Sequence, residues 1–256
     1  MVIRGMKQSA PGPSGLRADH ILLAFLVGSS DSLIMVLRSI IEGSAPRWLV
    51  DARLLAIPKP AGGIRPIAVG EVLRRIAAAA LMRDCMSSLQ KLVRQFITRR
   101  DGCLAVSSLT RAALENDNTC CALSINLRNA FNSVSREAVL NASRDTALAA
   151  YTQWAYGLAS RLRYGDHIIN SCSGVQQGDP VGPVLFAIAI APVLQTARLN
   201  FPNEVIDLWY ADDGCLLGRA ADLLTAYRTL EPLFAAINLS INSNKCALWH
   251  NDSPTN

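Results

Sequence analysis

Near the C-terminal end of the chain, two adjacent carboxylates stand between two short apolar runs. Val205 to Tyr210 leads into Asp212–Asp213, and Cys215 to Leu217 leads away. Apolar runs around an Asp-Gly step predict a β-hairpin. Carboxylates at such a turn offer hard oxygen ligands to a divalent cation, which usually takes only one or two from protein. The same residues also describe an ordinary acidic, solvated turn. The remaining sequence decides between the two.

With 256 residues the chain can hold one large domain or two small ones. Half of it is hydrophobic and 18% is charged, enough to bury a core and too apolar for disorder. The net charge of +5 suits a polyanionic partner without requiring one. Seven cysteines without a Cys-x-x-Cys pair point to a reducing compartment and away from zinc. Val181–Leu194, the longest apolar run, is interrupted by Gly182, Pro183 and Pro192. It falls short of the ~18–20 residues of a membrane span. Met1–Lys7 leads into a Pro/Gly/Ser segment, not the apolar stretch of a secretory signal. A soluble intracellular protein, in cytoplasm or nucleus and without membrane contact, is expected.

Residues 8–17 are turn-rich and predict a surface loop. Asp19 is placed to cap a helix running through Leu33–Ile41 with a break near Gly28. Trp48–Ile57 reads as extended, and Pro58–Pro66 as a tight loop. Glu71–Phe96 reads as one long helix, nucleated by the Ala77–Ala80 run, with Arg74, Arg75 and Arg83 on its polar side. Cys120–Ile125 has the length of a buried strand. Ser133–Glu137 resembles a capping box. Tyr151–Leu162 reads as an amphipathic helix, Ile168–Ser173 as a strand, and Pro180–Leu199 as an apolar helix. Asp222–Ile237 reads as a further helix. Hairpin, buried strand and covering helices together predict an α+β layer architecture.

Four segments follow one another in order: Ile57–Pro66, Asn129-Ala130-Phe131, Gly174–Pro180 and Tyr210–Asp213. Together they resemble the reverse transcriptase domain of non-LTR (LINE-type) retrotransposons. The resemblance runs from Gly12-Pro13-Ser14-Gly15-Leu16 to Asn242-Ser243-Asn244-Lys245. It implies a right-hand polymerase, with fingers over roughly 1–118 interleaved with a palm over 119–250. Residues 251–256 are expected as a disordered tail, and the thumb as largely missing. It also implies an RNA template, a DNA primer, a deoxynucleoside triphosphate and two Mg²⁺ (or Mn²⁺) ions. Such ions lie about 3.5–4 Å apart and stabilise attacking and leaving oxygens.

By the same resemblance Asp212 is a metal ligand and Asp213 the neighbouring acidic residue. Lys59 and Arg65 flank a Gly-Gly turn that folds onto the triphosphate, where a guanidinium fork can take two oxygens. Phe131 lies beneath the incoming sugar, where its ring excludes a 2′-hydroxyl. Gln177-Gly178 touches nucleotide and template. Lys245 stands near the pyrophosphate leaving group as a proton donor. Read from the residues alone, Phe131 is first of all a core ring, and Lys245 is nearly as readily a solvated lysine.

One position departs from the family. The aspartate expected four residues ahead of Ala130 is Asn126. Asparagine has the size of aspartate, but its amide is neutral and presents one oxygen and one donor nitrogen. It cannot lend charge to two cations. A loss of ~4 kcal/mol of transition-state stabilisation is about a thousandfold in rate. Asp117 and Glu137 are too far along the chain to stand in. Gln95–Gly102 lacks the family's Gly-rich pattern, and Asn256 follows soon after Lys245. A degenerate, impaired copy is expected. The alternative is a non-catalytic nucleic-acid-binding module on the same fold, with Arg65, Arg74, Arg75, Arg83, Arg94, Arg99 and Arg100 following a phosphate backbone.

Overall fold

The computed structural model describes residues 2–6, 9–60 and 62–250. The tail expected at 251–256 lies outside them. Three helices come first: α1 (Val2–Gly5), α2 (Ala18–Leu26) and α3 (Ser30–Ile41). A hairpin of β1 (Ala52–Pro58) and β2 (Ile64–Gly70) leads into α4 (Val72–Val93) and α5 (Gly102–Asn116). Then come β3 (Cys121–Asn126), α6 (Ala130–Ser133), α7 (Arg136–Ser143) and α8 (Ala149–Tyr156). A second hairpin, β4 (Ser160–Tyr164) and β5 (His167–Ser171), precedes α9 (Gly182–Arg198). The acidic hairpin is β6 (Ile206–Tyr210) and β7 (Asp213–Gly218), followed by α10 (Ala220–Ala235) and β8 (Ala247–His250).

The strands form two four-stranded sheets, ordered β2-β1-β4-β5 and β6-β7-β3-β8. Among the described residues, only β1 and β4 run parallel; the other pairs are antiparallel. The α+β expectation holds. The chain visits the first sheet, passes to the second through β3, returns for β4 and β5, and ends in the second. No single cut at residue 118 therefore separates the sheets.

Helix α9 forms the centre. Every residue from Val184 to Ile190 is buried, as an all-round apolar sequence requires. It packs on α7, α10 and α4. No described helix is long and apolar enough to cross a membrane.

Several local expectations are corrected. The N-cap of α2 is Arg17, and Asp19 sits in the first turn, where its charge meets the helix dipole. Residues 47–50 form a 3-10 turn ahead of the extended β1. The cap of α7 is Ser135, whose Oγ accepts from the Ala138 amide at 3.3 Å. The helix expected over Tyr151–Leu162 ends at Tyr156, because Ser160–Tyr164 is recruited as β4 between β1 and β5. Arg74 is not on a polar face with Arg75 and Arg83: it is 2% exposed.

Candidate active site

Tyr210 pairs with Asp213 across the acidic hairpin, so Ala211 and Asp212 are the two turn residues. The Asp-Gly step expected to make the turn opens strand β7 instead. Gly214 is needed for packing, since a Cβ there would lie 2.6 Å from the Trp209 ring. Ala211 takes the turn with a left-handed φ of 55°, a strained choice for a residue with a side chain. Asp212 is half-buried and Asp213 exposed. Burial, and then the charge of Asp213, push the Asp212 carboxyl above its ordinary pKa, while Arg65 pulls the other way.

Strand β3 delivers the departing residue to this corner. Asn126 is the register partner of Asp213, and its Nδ2 donates to Asp213 Oδ1 at 3.5 Å, the outer limit of a hydrogen bond. Position 126 is thus at the carboxylate pair, as the sequence argument requires. The backbone continues the junction. Asn126 O accepts from the Asn242 amide at 2.7 Å, and the Arg128 amide donates to Ser240 O at 2.8 Å. These bonds draw the 3-10 turn Ser243–Lys245 beside β3.

The β1–β2 hairpin supplies the opposite wall. Its tip closes through Lys59 N to Gly63 O and Gly62 N to Lys59 O, both 3.0 Å, with Gly62 and Gly63 at positive φ. Lys59 and Arg65 are both exposed. Below them, Phe131 stacks on Phe186 with ring centroids 5.0 Å apart. It is half-buried, so it serves as core wall and cavity floor at once. The loop after β5 is tied down by Val175 N to Phe131 O at 2.7 Å and Ala68 N to Gln177 O at 2.7 Å.

All nine residues singled out in the sequence line one cavity of about 1190 Å³: Lys59, Arg65, Asn126, Phe131, Gln177, Gly178, Asp212, Asp213 and Lys245. They come from five separate stretches of chain. Sequence reading missed Arg128, and named Asn129 and Asn242 within motifs without giving them a role; all three line it too. The signal for Arg128 was its place between Asn126 and Phe131. The Gly12–Leu16 segment lines nothing there; Ser14 is bound by Glu71 through its amide and its hydroxyl, at 2.8 and 2.6 Å. Nor do the seven arginines form one track. Arg74 is buried, Arg75 is bonded to Ala10 O, and Arg83 faces Asp84.

The cavity therefore sets Lys59, Arg65, Arg128 and Lys245 against only two carboxylates. That balance suits a multiply charged anion. As a metal site the donor set is reduced. Among the described residues, no group of three or more His, Cys, Asp or Glu side chains could hold a metal ion. Asp212 and Asp213 suit one Mg²⁺ that takes its other ligands from phosphate and water. Beside them position 126 offers a neutral amide.

Residues 57–256 match the family model described as reverse transcriptase (RNA-dependent DNA polymerase). The chain is 27% identical over 252 residues to the Pol polyprotein of the type-1 retrotransposable element R2 of Nasonia vitripennis, covering 88% of the chain and 24% of that relative. It is 26% identical to the type-2 element R2DM polyprotein of Drosophila melanogaster, covering 93% of the chain and 24% of the relative. A Popillia japonica R2 polyprotein matches at 25% over 95% of the chain and 37% of its own length. The chain thus spans roughly a quarter to a third of these curated relatives. Among solved structures it resembles telomerase from Candida albicans with a fragment of telomeric RNA, at TM-score 0.61 and 10% identity, over 80% of the chain and 42% of that protein. Apo telomerase from Candida tropicalis resembles it at TM-score 0.56 and 9% identity, over 81% of the chain and 45% of that protein. At those identities the likeness is one of fold.

Proposed function

The chain belongs to the reverse transcriptase (RNA-dependent DNA polymerase) family, in its non-LTR retrotransposon branch, and we propose that its cavity binds a deoxynucleoside triphosphate against an RNA template and a DNA primer end, with nucleotidyl transfer impaired by Asn126. One observation carries this reading. Five distant segments bring their matched residues into one cavity, with the amide of Asn126 against Asp213.

A divalent cation bound at Asp212 and Asp213 would neutralise phosphate charge and polarise the reacting oxygens. The protein's own residues do the rest. Lys59 and Arg65, opposite the carboxylates, grip the triphosphate. Phe131 carries the sugar on a ring held rigid by Phe186. Gln177 and Gly178 present a wall to base and template. Lys245 lends a proton to the departing pyrophosphate oxygen. Arg128 adds a fourth positive charge to the lining. Asn126 turns its amide donor to Asp213, so position 126 supplies neither a third negative charge nor a second oxygen.

Primer extension on an RNA template tests the reading. The unmodified chain is expected to extend weakly, and Asn126→Asp to gain about a thousandfold, the rate equivalent of ~4 kcal/mol. Equal, robust synthesis by both would overturn the impairment. The amide–carboxylate contact favours a second reading, a nucleic-acid-binding module without chemistry. That reading expects primer–template binding that weakens steeply with salt, is indifferent to Mg²⁺, and is accompanied by no synthesis from either form.

A further inference from the structure

A buried polar cluster meets the cavity at Gln176. The Arg74 guanidinium, 2% exposed, donates to Asp179 Oδ2 at 2.6 Å, Gln176 Oε1 at 2.8 Å, Val50 O at 3.0 Å and the Tyr151 hydroxyl at 3.1 Å. Asp179 also accepts from the hydroxyls of Tyr151 at 3.0 Å and Tyr156 at 2.7 Å, and from the Val181 amide at 3.1 Å. Gln176 donates its Nε2 to Ser160 Oγ at 2.9 Å. Burial pushes both phenols up, well above the ordinary range for Tyr156, where Asp179 adds to it; both therefore stay protonated donors.

Gln176 and Asp179 bracket Gln177-Gly178, the pair that lines the cavity. Between them the loop meets β2. Ala68 N donates to Gln177 O at 2.7 Å, and a Cβ on Gly178, at φ 124°, would lie 2.4 Å from Ala68 O. The loop is thus pinned at both ends by one buried arginine and touches, in its middle, the strand that carries Arg65.

We infer that Arg74 and Asp179 are positioning residues for nucleotide binding, holding Gln177-Gly178 against β2 so that the loop and Arg65 face one ligand as a rigid unit. The inference rests on the cavity being a nucleotide site. The pair also ties Val50 and Tyr151 and so supports the fold, but among its partners the 176–179 loop is the one that lines the cavity. The side chain of Arg74 does not reach the cavity, so its influence passes through Gln176 and the Ala68–Gln177 bond.

That bond provides a local reporter. Ala68 sits opposite Leu54 with its amide turned away from β1, so its hydrogen exchange reads the seam, while Ile67 and Val69 read the β1–β2 ladder. The experiment compares the unmodified chain with Arg74→Lys, which keeps the charge and loses the fork, and with Tyr156→Phe, which keeps the ring. In Arg74→Lys, Ala68 exchange is expected to accelerate about tenfold relative to Ile67 and Val69, and half-saturation by a complementary deoxynucleoside triphosphate with Mg²⁺ and primer–template to rise about tenfold. Tyr156→Phe, which loses the hydroxyl that donates to Asp179 and accepts from the Gln176 amide, should give about threefold for both. The melting temperature should fall in Arg74→Lys as buried hydrogen bonds are lost, while primer–template affinity should move far less than triphosphate affinity. Unaltered Ala68 exchange, unaltered triphosphate affinity, or a parallel fall of every readout each overturns the inference. An unmodified chain that fails to bind primer–template at low salt sinks the nucleotide-site reading itself, and is seen before any variant is made.

Discussion

Two carboxylate sites in this protein are built in opposite ways. Asp179 is buried and has its charge met by Arg74, two phenols and an amide. Asp212 and Asp213 face a cavity with one long contact from Asn126. The first site is closed: every donor it needs comes from the fold. The second is open: it lines a cavity, and the Asn126 amide is the side-chain donor that reaches it. Charges that hold a structure are satisfied internally, whereas charges that act on a ligand are left short of partners.

The comparison breaks if truncating the two sites costs the same. Asp179→Ala leaves Arg74 buried without its counter-ion and is expected to lower stability by about 3–5 kcal/mol, whereas Asp213→Ala on the exposed strand end should stay within about 0.5 kcal/mol. Denaturant melts of both variants decide it. The open site should respond in activity instead. There Asn126→Asp, with its expected thousandfold gain in extension (~4 kcal/mol), should cost no more than about 1 kcal/mol of stability, from a like charge set opposite Asp213.

A smaller effect tests the seam between the two sites. Gly178→Ala forces a side chain into positive φ against the Ala68 carbonyl, and should lower stability by about 1–3 kcal/mol. Thermal melting measures that cost, and the triphosphate concentration needed for half-saturation should rise with it.

The smallest effect concerns the strain left in the open site. Burial raises the Asp212 pKa above that of the unfolded chain. A raised carboxylate favours folding while it is protonated, and loses that contribution as pH climbs through its folded pKa. Asp212→Asn should therefore be slightly more stable than the unmodified chain at pH 7. The difference should fade as pH falls below the ordinary carboxylate value of about 3.9. Melting temperatures at the two pH values check the sign.

Much of the cavity was legible because its residues carry their chemistry locally. Apolar runs marked β3, β6 and β7. The carboxylate pair, the Gly-Gly tip and the amide at 126 stood in plain view, and their order along the chain matched one family. What stayed hidden depended on distant partners. Arg74 is indistinguishable in sequence from Arg75 and Arg83, yet only it meets Asp179, 105 residues away. The helical pattern of α8 reads on to Leu162, yet strand pairing with β1 and β5 captures Ser160–Tyr164. Gly214 follows an aspartate as a turn glycine would, yet the indole of Trp209 is the reason for it.

The amino-acid order by itself determined the layers of the fold, the acidic pair and the neutral residue that faces it, because periodicity and side-chain chemistry are properties of neighbours along the chain. Only the tertiary structure decided which arginine is internal, where the hairpin turns, and that five stretches share one cavity. Those outcomes turn on contacts between residues far apart in sequence, where burial and hydrogen bonding outweigh local preference.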